Sequence, residues 1–159
     1  MKVIVIGAHG QIGRILMEKL QKSNHEVTAA LRSSQQIQEY QAHGYQTALV
    51  DLEGDLDSLQ SVLQQHEAVI FTAGSGGKTG ANKTMMVDLD GAIKTIEAAR
   101  VTSIQRFIMI SAIGANRREL WSYGQRELST GNYYYAAKFY ADEWLQHSGL
   151  IYTITHCAS

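Results

Sequence analysis

Three groups of residues in this chain have the type and spacing to do chemistry. The first is Gly7-Ala8-His9-Gly10-Gln11-Ile12-Gly13, with glycines at GxxGxxG spacing between a short β-branched run and an amphipathic one. In that context a glycine turn offers main-chain N–H groups to a phosphate. Gly7 can turn the chain through a conformation closed to other residues, Gly10 lets a diphosphate reach the main chain, and Gly13 lets the next helix pack close. The amides of Gln11 and Ile12 then point at the anion along the helix dipole, and His9 could contact the phosphates or serve only as a loop side chain. The spacing is not the GxGxxG of common dehydrogenases, so a turn that serves packing alone is the competing reading.

The second group would read the rest of a dinucleotide. Arg32 ends the second β-branched run, where NAD-selective sites carry an acidic residue for the ribose 2′-hydroxyl. A guanidinium there suits a 2′-phosphate, so NADP(H) is preferred, with NAD(H) the alternative. Asp51 could accept from an adenine amino group or cap the next turn. Thr72-Ala73-Gly74-Ser75-Gly76-Gly77 is small enough for a ribose and diphosphate to lie against its backbone. Gly77-Lys78-Thr79 faintly echoes a P-loop, but the required earlier glycine is Thr72, which rejects a nucleoside-triphosphatase reading.

The third group could move a proton. Tyr134 and Lys138 stand four apart on a predicted helix and share a face, where an ammonium would lower the pKa of a phenol. Tyr135, three residues from Lys138, faces it as well. Ser111 follows the fifth apolar run and could hydrogen-bond a substrate carbonyl. The single cysteine, Cys157, permits no intrachain disulfide and no CxxC metal or redox site, so no metal is expected.

These residues need a scaffold, and the periodicity supplies one. Short β-branched runs at 2–7, 25–31, 45–50, 68–72, 107–110 and 150–155 predict six strands. Between them, helical spacing predicts a helix from Gly13 carrying Ile12, Ile15, Leu16 and Leu20. Further helices are predicted over 34–43, 55–65, 85–101 (Val87, Ile93, Ile96) and 133–147 (Ala137, Tyr140, Ala141, Trp144, Leu145), with 112–130 irregular. Strict alternation implies right-handed crossovers: an α/β, three-layer Rossmann fold with a parallel sheet in the order 3-2-1-4-5-6 and helices on both faces. Its ligand crevice falls at the carboxyl ends of strands one and four.

The 159 residues form one predicted domain, 45% hydrophobic and with a formal net charge of −1, which offers no bulk attraction to nucleic acid or anionic membrane. No apolar run of about 18 residues exists. A cytoplasmic protein acting on a small molecule is expected.

In this order, Gly7 to Gly13, Leu31-Arg32, Val50-Asp51-Leu52, Val87-Asp88-Leu89-Asp90-Gly91, Arg106 to Gly114 and Tyr134-Tyr135-Ala136-Ala137-Lys138 resemble the atypical short-chain dehydrogenase/reductase superfamily. The resemblance is to its small NmrA-like, NAD(P)-binding members of NADH-flavin reductase and sugar-epimerase-like type, and it spans nearly the whole chain. It implies that Tyr134 donates or accepts the proton, that Lys138 binds the nicotinamide ribose and lowers the tyrosine pKa, and that Ser111 orients a carbonyl, quinone or flavin substrate. Hydride would pass to or from nicotinamide C4. Gly7, His9, Gly10, Gln11, Ile12, Gly13, Arg32, Asp51, Leu52, Ala73 and Gly74 would hold the cofactor. Two departures stand out: Ala112 occupies a position where many relatives carry a second serine, and the chain resembles a member lacking most of its C-terminal substrate lobe. A non-catalytic dinucleotide sensor is therefore an alternative, and a homodimer would cover apolar surface left open.

Overall fold

In a central strand of the sheet, side chains alternate between two cores, as a strand covered on both faces requires. In the computed structural model, which describes residues 1–76, 79–122 and 132–157, β1 (Lys2–Ile6) sends Ile4 and Ile6 to one face and Val3 and Val5 to the other. β2 (Glu26–Leu31) and β4 (Ala68–Phe71) flank β1, and β3 (Gln46–Leu49), β5 (Arg106–Ala112) and β6 (Tyr152–Cys157) extend the sheet. The six strands pair in parallel in the order β3-β2-β1-β4-β5-β6, as the alternation predicts.

The helices between the strands cover the two faces. α1 (Gln11–Gln21) and α2 (Ser34–Ala42) bury Met17 and Tyr40 against Val3, Val5, Ala29 and Leu31. On the other face α3 (Leu56–Leu63), α5 (Ala92–Arg100) and α7 (Asn132–Gln146) bury Leu59, Leu63, Ile96, Ala141 and Leu145 against Ile4, Val69, Phe71 and Phe107. Short polar side chains start two helices: Ser33 accepts from the Gln36 amide at 3.3 Å and Asp55 from the Ser58 amide at 2.7 Å. Among the described residues no helix is long and apolar enough to cross a membrane.

Several local expectations need correction. On α1 the buried residues are Gly13 and Met17, while Ile15 faces solvent. The predicted helix over 85–101 begins earlier, as α4 (Gly80–Lys83), and passes through a π-helical stretch, Thr84–Gly91, before α5. The wider turn carries Thr84, Asp88 and Gly91 inward and leaves Val87 and Ile93 half-buried. On α7, Tyr140 and Trp144 lie at the surface, Trp144 donating its indole N–H to Glu97 at 2.7 Å. β5 runs on to Ala112, and β6 begins two residues late and continues to Cys157. The stretch read as irregular contains α6 (Arg118–Trp121), whose Trp121 is buried and donates to the Ala115 carbonyl at 3.0 Å.

Away from the ligand crevice, His66 ties α3 to the sheet. Its Nδ1 lies 2.9 Å from the Val62 carbonyl and its Nε2 3.0 Å from the Thr28 hydroxyl. Burial pushes its pKa below the ordinary 6.5, against the opposing pull of the Val62 carbonyl. A histidine kept neutral in the fold loses stability as pH falls below its unfolded value. The stability margin of the wild type over His66→Gln should therefore shrink between pH 7 and pH 5 in urea titrations; a constant margin would contradict this role.

Candidate functional site

The carboxyl ends of β1 and β4 are knitted together by backbone. Gly7 leaves β1 at φ +84°, and a Cβ there would lie 2.6 Å from the Ala73 amide nitrogen and Cα. The Thr72 amide donates to the Ile6 carbonyl at 2.8 Å, and its hydroxyl lies 3.1 Å from the Gly7 carbonyl. A Cβ on Gly13 would collide with the Gly7 carbonyl and come within 2.7 Å of the Ala8 carbonyl, so only glycine lets α1 start this close to the turn. Gly10 is extended, accepts the Arg14 amide through its carbonyl at 2.9 Å, and provides no side-chain cap. The first amides of α1 thus meet no capping side chain, the arrangement an anion requires.

A cationic rim lies beside this turn. Arg14, one residue past Gly13, donates from Nε to the His9 carbonyl at 3.1 Å and lies 2.6 Å from His9 Nε2 through Nη2. Glu39 on α2 approaches the same His9 nitrogen at 3.6 Å. Arg32 is exposed at the end of β2, and among the described residues its guanidinium has no hydrogen-bond or ionic partner. The sequence reading passed over Arg14. Its signal is a cation in the opening turns of a helix, where the dipole disfavours it unless an anion is near. Asp51 is committed locally: its carboxylate accepts the Glu53 amide at 2.9 Å and its carbonyl the Gly54 amide at 3.1 Å, the turn-capping role. Leu52 packs into the core against Gly91.

At the end of β4 the backbone meets α7. Lys138, 5% exposed, points its ammonium at the Ala73 carbonyl and at Asp88 Oδ1, each at 3.4 Å. Asp88, 1% exposed, accepts the Ser75 amide through Oδ2 at 2.8 Å. Oδ1 receives no well-directed hydrogen bond, so its tie to Lys138 is ionic rather than directional. Gly74 fits against the pair: a Cβ there would sit 3.1 Å from Asp88 Oδ1. The Tyr134 ring lies 5.9 Å from the Lys138 ammonium and packs edge-on against Tyr135 at 5.4 Å. Structure and spacing therefore agree that Tyr134 and Lys138 share a face, but the electrostatics differ from expectation. Burial first, then the charge of Asp88, then Tyr135, holds the Tyr134 phenol above its ordinary pKa. No acidifying effect of Lys138 outweighs these influences, and a carboxylate stands at the ammonium. Asp88 was legible only as part of the motif Val87-Asp88-Leu89-Asp90-Gly91, in which nothing sets it apart from Asp90.

Ser111 is engaged elsewhere. Its hydroxyl donates to Asp142 Oδ2 at 2.7 Å, one helical turn beyond Lys138, and Asp142 in turn lies 3.3 Å from His156 Nε2 on β6. The serine proton goes to a carboxylate rather than an imidazole, so this trio is not an activated nucleophile. Burial raises the Asp142 carboxyl above its usual range, with Ser111, His156 and Lys138 pulling the other way. Of the expected site residues, Gly7, Gly13, Ala73, Gly74, Lys138 and Tyr134 are brought around one crevice; Gly77 and Lys78 lie outside the described residues.

Fold and site together define a Rossmann domain built to receive a dinucleotide at the reversal of strand order, of the atypical short-chain dehydrogenase/reductase kind. The family model described as NAD(P)H-binding matches residues 7–158, and the chain belongs to that family. It is 46% identical over 155 residues to YhfK of Bacillus subtilis strain 168, an uncharacterized sugar epimerase, covering 97% of this chain and 70% of that protein. Among solved structures, a candidate NAD-dependent epimerase/dehydratase from Bacillus halodurans is 36% identical with a TM-score of 0.86, covering 99% of this chain and 70% of that one. The oxidoreductase ylbE from Lactococcus lactis is 29% identical with a TM-score of 0.83, covering 98% and 68%.

The residues fit the cofactor class of the family: uncapped amides at α1, a glycine cradle that side chains would fill, and a partnerless guanidinium at β2. Gly13→Ala should displace α1 from the turn, lowering stability by about 1–3 kcal/mol and weakening NAD(P)H binding together. Denaturant unfolding and fluorescence titration of the variant check this, and unchanged values in both would contradict the close packing.

Proposed function

We propose that this protein is an NADP(H)-dependent oxidoreductase that reduces a small carbonyl, quinone or flavin substrate, with Tyr134 as its proton donor. One observation carries the reading: the Lys138 ammonium on α7 reaches the Ala73 carbonyl, and Ala73 is the residue packed against Gly7 of the phosphate turn. The residues able to handle a proton and the residues able to hold a diphosphate thereby meet at one backbone position. The family supports a nicotinamide cofactor, and the similarity to ylbE, an oxidoreductase, supports redox chemistry. When bound, the cofactor supplies hydride exchange at nicotinamide C4.

This chain's residues supply the rest. The amides of Gln11 and Ile12 take the diphosphate, with Arg14 and His9 bonded to each other beside that turn, and Arg32 takes the 2′-phosphate. An ammonium has three donors; with one on the Ala73 carbonyl and its charge paired with Asp88, Lys138 keeps a donor for a ribose hydroxyl. The Tyr134 phenol carries its proton at neutral pH and so has one to give to the oxygen of a carbonyl being reduced, although its raised pKa makes it a weaker acid than an ordinary phenol. Ser111, bound to Asp142, offers a lone pair rather than a proton to any ligand while that bond persists.

Arg32→Ala should weaken NADPH by about 1–3 kcal/mol and leave NADH nearly unchanged in paired titrations; equal losses for both would remove the 2′-phosphate assignment. NADPH oxidation against aldehydes, quinones, flavins and a nucleotide sugar tests turnover. Tyr134→Phe should lower that turnover by about 100-fold or more with the NADPH affinity retained. Turnover that survives Tyr134→Phe would refute the proton-donor role, and saturable NADPH binding without turnover on any of these substrates would point to a sensor.

A further inference from the structure

The interior beside the crevice holds more charge than Tyr134 and Lys138 require. Asp88 and Lys138 are almost completely buried, and Asp142 follows one turn along α7 with His156 against it. Burying charge is unfavourable unless it is paired, and an aspartate on the inner side of a π-helical turn is kept there by something specific. The Asp88 carboxylate joins two elements: it accepts the Ser75 amide at the end of the β4 loop and pairs with the Lys138 ammonium on α7. It also occupies the space a side chain at Gly74 would need.

We infer that Asp88 is the positioning residue of the Tyr134–Lys138 pair: its carboxylate anchors the ammonium against the Gly74–Ser75 backbone and cancels the positive field that the ammonium would otherwise place on the phenol. The assignment rests on reading Tyr134 and Lys138 as the proton-handling pair, but its physical content is independent of turnover. The geometry gives both halves of the effect. The ammonium is 3.4 Å from Asp88 Oδ1 and 5.9 Å from the Tyr134 ring centre, so the carboxylate is the nearer partner. Among the described residues the charged and titratable groups around the pair are Asp88 on the π-helical stretch, Tyr135 and Asp142 on α7, and His156 on β6 behind Asp142. Of these, Asp88 is the one carboxylate that acts on the phenol directly. Asp142 acts on Lys138, and it remains as a counter-charge to the ammonium when Asp88 is neutralised.

Opposite results are expected from the two sides of the pair. Asp88→Asn preserves shape and an oxygen for the Ser75 amide but removes the charge, so the ammonium faces the phenol uncompensated and phenolate forms at lower pH. Lys138→Met leaves the carboxylate facing the phenol, and phenolate forms at higher pH. The measurement is tyrosinate absorbance against pH on the cofactor-free protein. Each variant is compared with the same variant carrying Tyr134→Phe, so that the other tyrosines among the eight cancel. The Tyr134 midpoint should fall by about one pH unit or more in Asp88→Asn and rise in Lys138→Met. A midpoint that is unmoved or raised in Asp88→Asn overturns the assignment, and so does one unmoved or lowered in Lys138→Met. A structural role alone would lower the unfolding midpoint of Asp88→Asn without moving the phenol in this direction. If the midpoints move as expected while wild-type protein fails to bind NADPH, the cofactor reading fails and the role of Asp88 stands.

Discussion

The contact on which the site depends is backbone against backbone, Gly7 on Ala73. Two parallel strands normally diverge where they leave the sheet, and the crevice between them is as wide as their loops allow. Here the turn after β1 folds over the end of β4, with no room for a side chain at Gly7, and Thr72 bonds back to both Ile6 and Gly7. Gly13 then fixes where α1 begins relative to that turn. The direction of the uncapped α1 amides is consequently set by the sheet, through two glycines and a threonine, rather than by the flexible part of the loop. Pre-organisation of this kind lets a binding site hold its donors in place before a ligand arrives.

The second organising feature is charge. An isolated pair of Lys138 and Tyr134 would have a simple logic, in which a cation stabilises phenolate. The fold departs from it by bringing in Asp88, with burial as the larger influence on the phenol. Asp142 is separately occupied by Ser111 and His156, although its Oδ1 has no hydrogen-bond partner among the described residues. The interior therefore carries two carboxylates around one ammonium, with an imidazole at the edge. Such a cluster is a weak source of stability, because desolvation offsets much of the attraction. Its value lies in fixing where each proton resides.

The sheet and the phosphate turn were legible because their signals are local. Val3 to Ile6 is β-branched and apolar on both faces, and the glycines follow it immediately, so strand, turn and helix start read from consecutive residues. Tyr134 and Lys138 were legible because a four-residue spacing on a helix guarantees a shared face. What was missed follows from geometry that a fixed period cannot represent. The π-helical stretch shifts the register, so a 3.6-residue pattern selects Val87 and Ile93 where the structure buries Asp88 and Gly91. Ile15 and Trp144 fit the helical spacing of their stretches, but Ile15 is left in solvent and the Trp144 indole N–H is bound to Glu97 at the surface. The destination of the Ser111 proton could not be read at all, since its acceptor lies 31 residues away on another element.

α7 shows how packing and electrostatics are made to agree. Tyr134, Lys138 and Asp142 follow one another at four-residue intervals, a single stripe along one side of the helix. Ala137, Ala141 and Leu145 line the neighbouring stripe, and all three are buried. With methyl groups at 137 and 141, the helix axis can come close to the sheet and to the π-helical stretch, and a lysine stem then reaches past the surface to a carbonyl at the end of β4. Larger side chains at those two alanines would hold α7 away, and the ammonium would lose Ala73 and Asp88 together while the stripe itself stayed intact. The positions that matter to the chemistry are thus specified twice, once by residues that carry charge and once by residues whose contribution is to be small.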